Sequence, residues 1–130
     1  MNVENKLNDL LNEFKTSNAK EIADHLDISI QHQDFKAKTL DSRLMIVDSK
    51  GYIFVRSDLD CAYENFLIAH ELGHYVLHYD ENISFNFLRR VYKTRLEREA
   101  NEFAIKLLMY EELHNIKDIE NIELHVSAGK

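Results

Sequence analysis

The stretch that decides the fold is residues 61–79, CAYENFLIAHELGHYVLHY. Polar residues suited to capping a helix precede it (Ser57, Asp58 and Asp60), and apolar residues flank its centre, so we predict a long helix over about 61–79. At that centre stand His70, Glu71 and His74 in the order HExxH. Random ordering of this composition would produce the pattern about 0.04 times in a chain of this length, so the motif is informative.

The HExxH spacing has a direct chemical meaning on a helix. His70 and His74 lie about one turn apart on the same face, so their imidazole nitrogens can bind one Zn²⁺ at about 2.0–2.1 Å. Glu71 lies about 100° further round the helix, where its carboxylate can act as a general base on a zinc-bound water. The alternative interpretation is a helix with two surface histidines and a solvated glutamate.

A catalytic zinc normally has three protein ligands, so a third ligand must come from elsewhere in the chain. A second helix is predicted over about 94–109, and it contains Glu97, Glu99 and Glu102. At 100° per residue, Glu97 lies at the edge of the apolar face, whereas Glu99 and Glu102 fall on the polar face. A carboxylate on an apolar face is costly unless it is paired or binds metal, so Glu97 is the predicted ligand. The alternative is a partly exposed Glu97 that pairs with a nearby arginine.

Two further side chains extend the predicted site. Asn101 follows Glu97 by one helical turn, where it could accept a hydrogen bond from the second nitrogen of a ligand histidine; an ordinary surface asparagine is the alternative. His78 follows His74 by four residues, but a straight helix carries it about 12 Å along the axis from His70. That separation is poor for a third ligand on the same helix. We therefore predict that His78 is structural or supports a ligand.

The rest of the chain predicts helices on either side, in sequence, of a small sheet. Apolar spacing predicts a helix over 3–14, and Ser17 or Asn18 can cap a second one. Residues 28–35 alternate weakly, and residues 43–56 form two apolar runs around DSKG, which predicts an antiparallel hairpin whose Gly51 supplies a positive φ. A less regular region is expected over 80–92 and a short helix near Glu111. This segregated order indicates an α+β fold with a small antiparallel sheet packed on helices.

Composition bounds the possible functions. The 130 residues fit one domain, 1–130, and 45% hydrophobic residues supply a core without disulfides. The net charge of -7 opposes phosphate backbones, so no direct nucleic-acid binding is expected. The single cysteine, Cys61, together with a polar N-terminus and no apolar run of membrane-spanning length, predicts a cytoplasmic protein with no membrane partner.

The segment HELGHYVLH (residues 70–78), followed by LEREANEFAIKLLM (residues 96–109), resembles the ImmA/IrrE-type zinc metallopeptidases. The resemblance implies a minimal zincin-like metallopeptidase fold, gluzincin-like in its zinc ligands. By position, the resemblance implies that His70, His74 and Glu97 are the zinc ligands. It also implies that Glu71 is the catalytic glutamate and that Asn101 supplies a supporting amide. It further implies a phage or mobile-element anti-repressor that inactivates a helix-turn-helix repressor, commonly by cleaving it.

Three functions are weighed on these grounds. The first is a zinc-dependent endopeptidase whose substrate lies along the hairpin edge near residues 52–56, with Tyr52, Tyr75 and His78 as candidates for stabilising the oxyanion. The second is a zinc-containing binding module that neutralises a repressor without turnover. The third is a DNA-binding regulator, because residues 18–29 are similar to the first half of a helix-turn-helix, but the scarcely basic IQHQDFKAK follows them. The endopeptidase is favoured, since a pure binder does not need Glu71.

Overall fold

A computed structural model describes residues 2–34, 41–78 and 95–113 of the chain. The described elements are α1 Val3–Phe14, α2 Ala19–His25, β1 Ser29–Gln33, β2 Ser42–Val47, β3 Lys50–Arg56, α3 Cys61–His78 and α4 over 95–113. This order confirms the predicted α+β class. The region expected to be irregular, 80–92, lies outside the described residues, and the short helix expected near Glu111 is instead the end of α4. Among the described helices, none combines the length and the hydropathy that a membrane span requires.

Local capping chemistry sets where the helices begin. Asn18 Oδ1 accepts a hydrogen bond from the backbone N–H of Glu21 at 3.0 Å, so Asn18 rather than Ser17 caps α2. Asp60 starts α3 in the same way, because its Oδ2 accepts from the backbone N–H of Ala62 at 3.1 Å. After α2 the chain enters a strand, β1, where a helix-turn-helix would place its recognition helix. This placement argues against the DNA-binding interpretation.

The three strands form a mixed sheet in the order β1-β3-β2. The predicted hairpin is β2 and β3, which pair antiparallel with Val47 opposite Lys50, whereas β1 pairs with β3 in parallel. β3 is therefore the central strand, and its alternate residues are buried: Gly51, Ile53 and Val55. The prediction that a substrate adds along residues 52–56 is wrong, because strands already pair with both edges of β3. The edges of the described sheet are β1 and β2.

The hairpin turn is made by Asp48 and Ser49, whose φ values are 51° and 66°. Two consecutive residues with positive φ give a two-residue turn whose twist matches that of the paired strands. The prediction that Gly51 supplies the positive φ is wrong, since no glycine of the described chain has one. A Cβ added at Gly51 would lie 3.0 Å from Tyr75 Cε2 and 3.2 Å from Ile28 Cγ1. The glycine is therefore needed for close packing of the hairpin against its neighbours, including α3.

The helix α3 is the element on which the others pack, and most of its buried residues belong to one core shared with α1, α2 and the sheet. α4 meets α3 at Gly73, where an added Cβ would lie 3.0 Å from Phe103 Cδ1. Helical spacing predicts an apolar face of Ala100, Ala104, Leu107 and Leu108. The first three are fully buried, as are Leu96 and Phe103, whereas Leu108 is half-buried. The glycine inside the HExxH motif thus lets α4 approach closely, and this approach brings Glu97 to α3.

Candidate metal centre

Four polar side chains of α3 are buried in the core: His70, Glu71, His74 and His78. Burial of ionisable groups costs free energy unless each group finds a partner. The ligand atoms of His70, Glu71 and His74 lie within 4.8 Å of one another. The helix therefore brings the three residues of the HExxH motif into one cluster, at the spacing the sequence predicts.

Glu97 of α4 lies opposite the two histidines of the motif. Its Oε1 is 3.0 Å from His74 Nε2 and its Oε2 is 3.1 Å from His70 Nε2. These imidazoles, His70 first, hold the pKa of Glu97 well below its ordinary value, although burial opposes them. Its side chain is 40% exposed, against 11% for His70 and 4% for His74, so Glu97 closes the cluster on the solvent side. The sequence predicts an inward position for Glu97, and the structure places its carboxylate between the two imidazoles.

Glu71 is oriented by a different partner. Its Oε2 accepts a hydrogen bond from Ser42 Oγ at 2.6 Å, and Ser42 is the first residue of β2. Of the two carboxylates near the histidines, Glu97 faces both Nε2 atoms, whereas Glu71 is held from the sheet. This division agrees with the prediction of Glu97, rather than Glu71, as the third ligand. Ser42 has no signature in the sequence, because it lies 29 residues before Glu71.

His78 extends the cluster away from Glu97. It is fully enclosed, with its Nδ1 3.1 Å from His74 Nδ1 and its Nε2 3.0 Å from Glu99 Oε1. Glu99 Oε1 also accepts from Arg95 Nη1 at 3.2 Å. The prediction that Glu99 belongs to the solvated face is wrong: its side chain is 15% exposed because His78 and Arg95 pair with it. Helical angles along α4 alone could not show that a buried histidine of α3 lies opposite.

The contacts between Glu97 and Glu99 limit how the ring protons of the two histidines can be arranged. Three contacts in series join Glu97, His74, His78 and Glu99, but two neutral imidazoles carry only one N–H each. If His74 donates from Nδ1 to His78, and His78 donates from Nε2 to Glu99, a lone pair on His74 Nε2 faces the Glu97 carboxylate. Two acceptors 3.0 Å apart repel each other unless they share a cation. A metal ion held by His74 and Glu97 would supply that charge and would keep His74 in this tautomer.

His70 lacks such a chain of partners. Its Nδ1 is buried and forms no hydrogen bond among the described residues. Burial lowers the pKa of His70, but the Glu97 and Glu71 carboxylates and the Asn101 amide together raise it by more. Asn101 is exposed on α4, and the hydrogen bond predicted between its amide and the second nitrogen of a ligand histidine is not formed at His70 Nδ1. The structure brings this amide to the cluster without pairing it to Nδ1.

The donor set fits a zinc ion. Two imidazole nitrogens and one carboxylate are a ligand set of catalytic zinc, in which a fourth position stays open. Tetrahedral bonds of about 2.0–2.1 Å separate neighbouring donors by about 3.3 Å. The contacts of 3.0 and 3.1 Å between Glu97 and the two imidazoles are close to that separation. The residues present therefore suit the metal that the HExxH motif predicts.

The sequence offers Tyr52, Tyr75 and His78 as candidates for stabilising an oxyanion. His78 is unsuited to that role, because it is fully enclosed and both of its ring nitrogens have partners within the protein. Tyr52 stacks beside Phe54 on the sheet, with ring centroids 6.3 Å apart. Tyr75 packs against Gly51.

Comparison with known proteins places this geometry in a family. Residues 23–120 match the peptidase M78 family model, described as the IrrE N-terminal-like domain. The chain is 33% identical over 106 residues to "Uncharacterized immunity region protein 2" of Bacillus phage phi105, an alignment covering 77% of this chain and 63% of that protein. It is 31% identical over 116 residues to "Metallopeptidase ImmA" of Bacillus subtilis (strain 168), covering 87% of this chain and 66% of that protein.

The chain thus spans just under two thirds of the length of the curated relatives it matches. The matched span includes the whole sheet, α3 and α4, and therefore both the HExxH motif and Glu97. The resemblance inferred from two short motifs is confirmed over most of the chain. The chain belongs to the IrrE N-terminal-like family of peptidases.

Proposed function

We propose that this protein is a zinc-dependent endopeptidase of the cytoplasm that inactivates a helix-turn-helix repressor by site-specific cleavage. The observation that carries the proposal is the convergence of Glu97 on the Nε2 atoms of His70 and His74, while Glu71 of the same cluster is held from the sheet. The name "Metallopeptidase ImmA" of one relative supports the peptidase. The name "immunity region protein" of the phage relative supports a repressor system as its setting.

In this proposal His70, His74 and Glu97 hold the zinc. When bound, Zn²⁺ lowers the pKa of a coordinated water to about 7 and polarises the carbonyl of the scissile peptide. His78 Nδ1 accepts a hydrogen bond from the Nδ1–H of His74, and the Nε2–H of His78 donates to Glu99. These two hydrogen bonds keep the His74 ring turned with its Nε2 toward Glu97.

Glu71 is the proposed general base. Its carboxylate lies within 4.8 Å of the ligand atoms of His70 and His74, so a water held there is within reach of its oxygens. Glu71 accepts the proton of the attacking water and then delivers it to the amine of the leaving segment. Burial excludes bulk water from this carboxylate, so that the proton passes between the reacting groups.

The strand β2 is the proposed docking edge for the substrate. It is an edge of the described sheet, it begins at Ser42 beside Glu71, and two of its apolar residues are exposed, Ile46 at 37% and Val47 at 47%. An extended peptide can pair with such an edge through main-chain hydrogen bonds, which hold many sequences equally. Selectivity would then come from docking of a folded partner, and the net charge of -7 favours a basic one, such as a DNA-binding repressor.

The test is cleavage of the repressors encoded beside the gene, by the wild type and by Glu71→Gln, with and without a chelator. We expect a single cut by the zinc-loaded wild type, no cut with chelator, and a rate about 10²- to 10⁴-fold lower for Glu71→Gln at unchanged zinc content. Glu102→Gln, at an exposed position of α4, is the matched control and should cleave normally. Cleavage by Glu71→Gln at the wild-type rate would refute the mechanism. Binding without cleavage by either protein would favour the zinc-containing binding module.

A further inference from the structure

We propose that Ser42 is a positioning residue for Glu71, holding one oxygen of the carboxylate so that the other is directed at the attacking water. This inference rests on the proposed function and adds to it a residue from outside both sequence motifs. Ser42 lies in β2, 29 residues before Glu71, and the fold alone brings the two side chains together.

The contact has the geometry of a strong hydrogen bond. Ser42 Oγ donates to Glu71 Oε2 at 2.6 Å, within the range of about 2.5–2.7 Å for a hydroxyl bound to an ionised carboxylate. The last torsion of a glutamate side chain is soft and broad, so an unheld carboxylate rotates easily. A hydrogen bond to Oε2 fixes that rotation and assigns proton transfer to Oε1.

Fixing the rotation matters because Glu71 lies so close to the ligand atoms. Its carboxylate is within 4.8 Å of the coordinating atoms of His70 and His74. A carboxylate free to turn could itself bind a metal there and displace the water it should activate. The Ser42 hydroxyl therefore keeps Glu71 as a base beside the metal position and distinguishes it from Glu97, which faces both imidazoles.

The position of Ser42 is itself fixed by its neighbour Asp41. The Asp41 carbonyl accepts from the backbone N–H of Arg56 at 2.7 Å, and its carboxylate accepts from Arg56 Nε at 3.0 Å and from Tyr63 Oη at 2.7 Å. We call these three residues the Asp41 clasp. The clasp ties the start of β2 to the end of β3 and to the first turn of α3, so the Ser42 hydroxyl meets Glu71 at a defined place.

The kinetic test compares Ser42→Ala and Ser42→Thr with the wild type on the cleaved repressor. We expect kcat of Ser42→Ala to fall about 10- to 100-fold, as for loss of a hydrogen bond to a charged group, with KM and zinc content unchanged. Ser42→Thr keeps the hydroxyl and should recover most of kcat. Ser29→Ala, which removes a serine hydroxyl from the other edge strand, is the matched control and should leave kcat unchanged. An unchanged kcat in Ser42→Ala, or no recovery in Ser42→Thr, would overturn the inference.

A second measurement does not depend on cleavage. Urea midpoints of the wild type, Ser42→Ala, Glu71→Ala and the double variant form a double-mutant cycle. We expect Ser42→Ala to lower the midpoint of the wild type and to leave that of Glu71→Ala nearly unchanged. Additive shifts would overturn the inference even if no substrate is cleaved. Loss of activity in Glu71→Gln with full activity in Ser42→Ala would refute the inference alone, whereas a wild type that cleaves no partner would refute the proposed function.

Discussion

The two sides of α3 that contribute to the centre use different chemistry. On the α4 side, charged groups and imidazoles form a continuous chain from Glu97 through His74 and His78 to Glu99. On the β2 side, one hydroxyl, that of Ser42, reaches the motif. The α4 side is suited to holding a cation, and the β2 side to fixing an orientation. Metal binding and proton transfer should therefore be separable by substitutions on the two sides.

The largest expected effect is the loss of metal on the α4 side. Glu97→Ala removes the carboxylate that faces both Nε2 atoms, so zinc should fall from about one per chain to a trace. Metal analysis of the purified variant after dialysis measures this directly, with Ser42→Ala as the comparison from the β2 side. Full zinc in Glu97→Ala would show that Glu97 is not the third ligand.

A smaller effect on metal affinity is expected from the far end of the same chain. Glu99→Gln keeps the side-chain shape but removes the negative charge of the group that accepts the hydrogen bond from His78 Nε2. Groups that orient a ligand histidine typically contribute about 10- to 100-fold in affinity, so zinc should still bind but more weakly by that factor. Competition with a chromogenic chelator measures the constant, and Glu102→Gln on the exposed face should match the wild type. Equal affinities for both variants would contradict a role for Glu99.

The approach of the two helices can be tested at Gly73. A Cβ in Gly73→Ala would lie 3.0 Å from Phe103 Cδ1, and overpacking of a core typically costs about 1–3 kcal/mol. Alanine regains about 1 kcal/mol of helix propensity, so the net loss in free energy of unfolding should not exceed about 2 kcal/mol. Denaturation of the zinc-loaded protein measures it. A free energy of unfolding for Gly73→Ala equal to or above that of the wild type would mean that the close approach of α4 does not limit stability.

The smallest effect is expected on the β2 side, in acid. Hydrogen bonds from Tyr63 and then Arg56 hold the pKa of Asp41 below its ordinary value. A lowered folded-state pKa gives stability that is present above the unfolded value of about 3.9 and is lost as the pH falls below it. Wild-type stability should therefore decline more steeply between about pH 4 and pH 2 than that of Asp41→Asn. Parallel curves of unfolding free energy against pH would show that the Asp41 clasp contributes no such term.

Prediction from the sequence succeeded where the signal is local. The spacing of apolar residues gives α1 and α3 nearly to the residue, and the hairpin follows from two apolar runs around a turn. The inward position of Glu97 could be predicted for the same reason, because its helical angle relative to the apolar face distinguishes it from Glu102. The placement of His70, Glu71 and His74 together needs only the geometry of one helix.

Contacts between segments that are distant in the sequence could not be predicted from local spacing. The parallel pairing of β1 with β3 is set by packing of the whole domain, so it leaves no periodic trace in residues 29–33. Glu99 and Ser42 meet their partners across 21 and 29 residues, and neither position departs from ordinary surface composition. The sequence predicts a turn position for Gly51 because glycine tolerates a positive φ, whereas the structure shows that the ring of Tyr75 constrains this position.

The unequal exposure of the three predicted ligands has a consequence for exchange. The two histidines are almost covered, whereas the Glu97 side chain is 40% exposed, so within the described residues the carboxylate is the ligand atom set nearest to solvent. If an ion binds there, it would exchange by first leaving the carboxylate, and its occupancy would follow the free zinc concentration of the surroundings rather than being set once during folding.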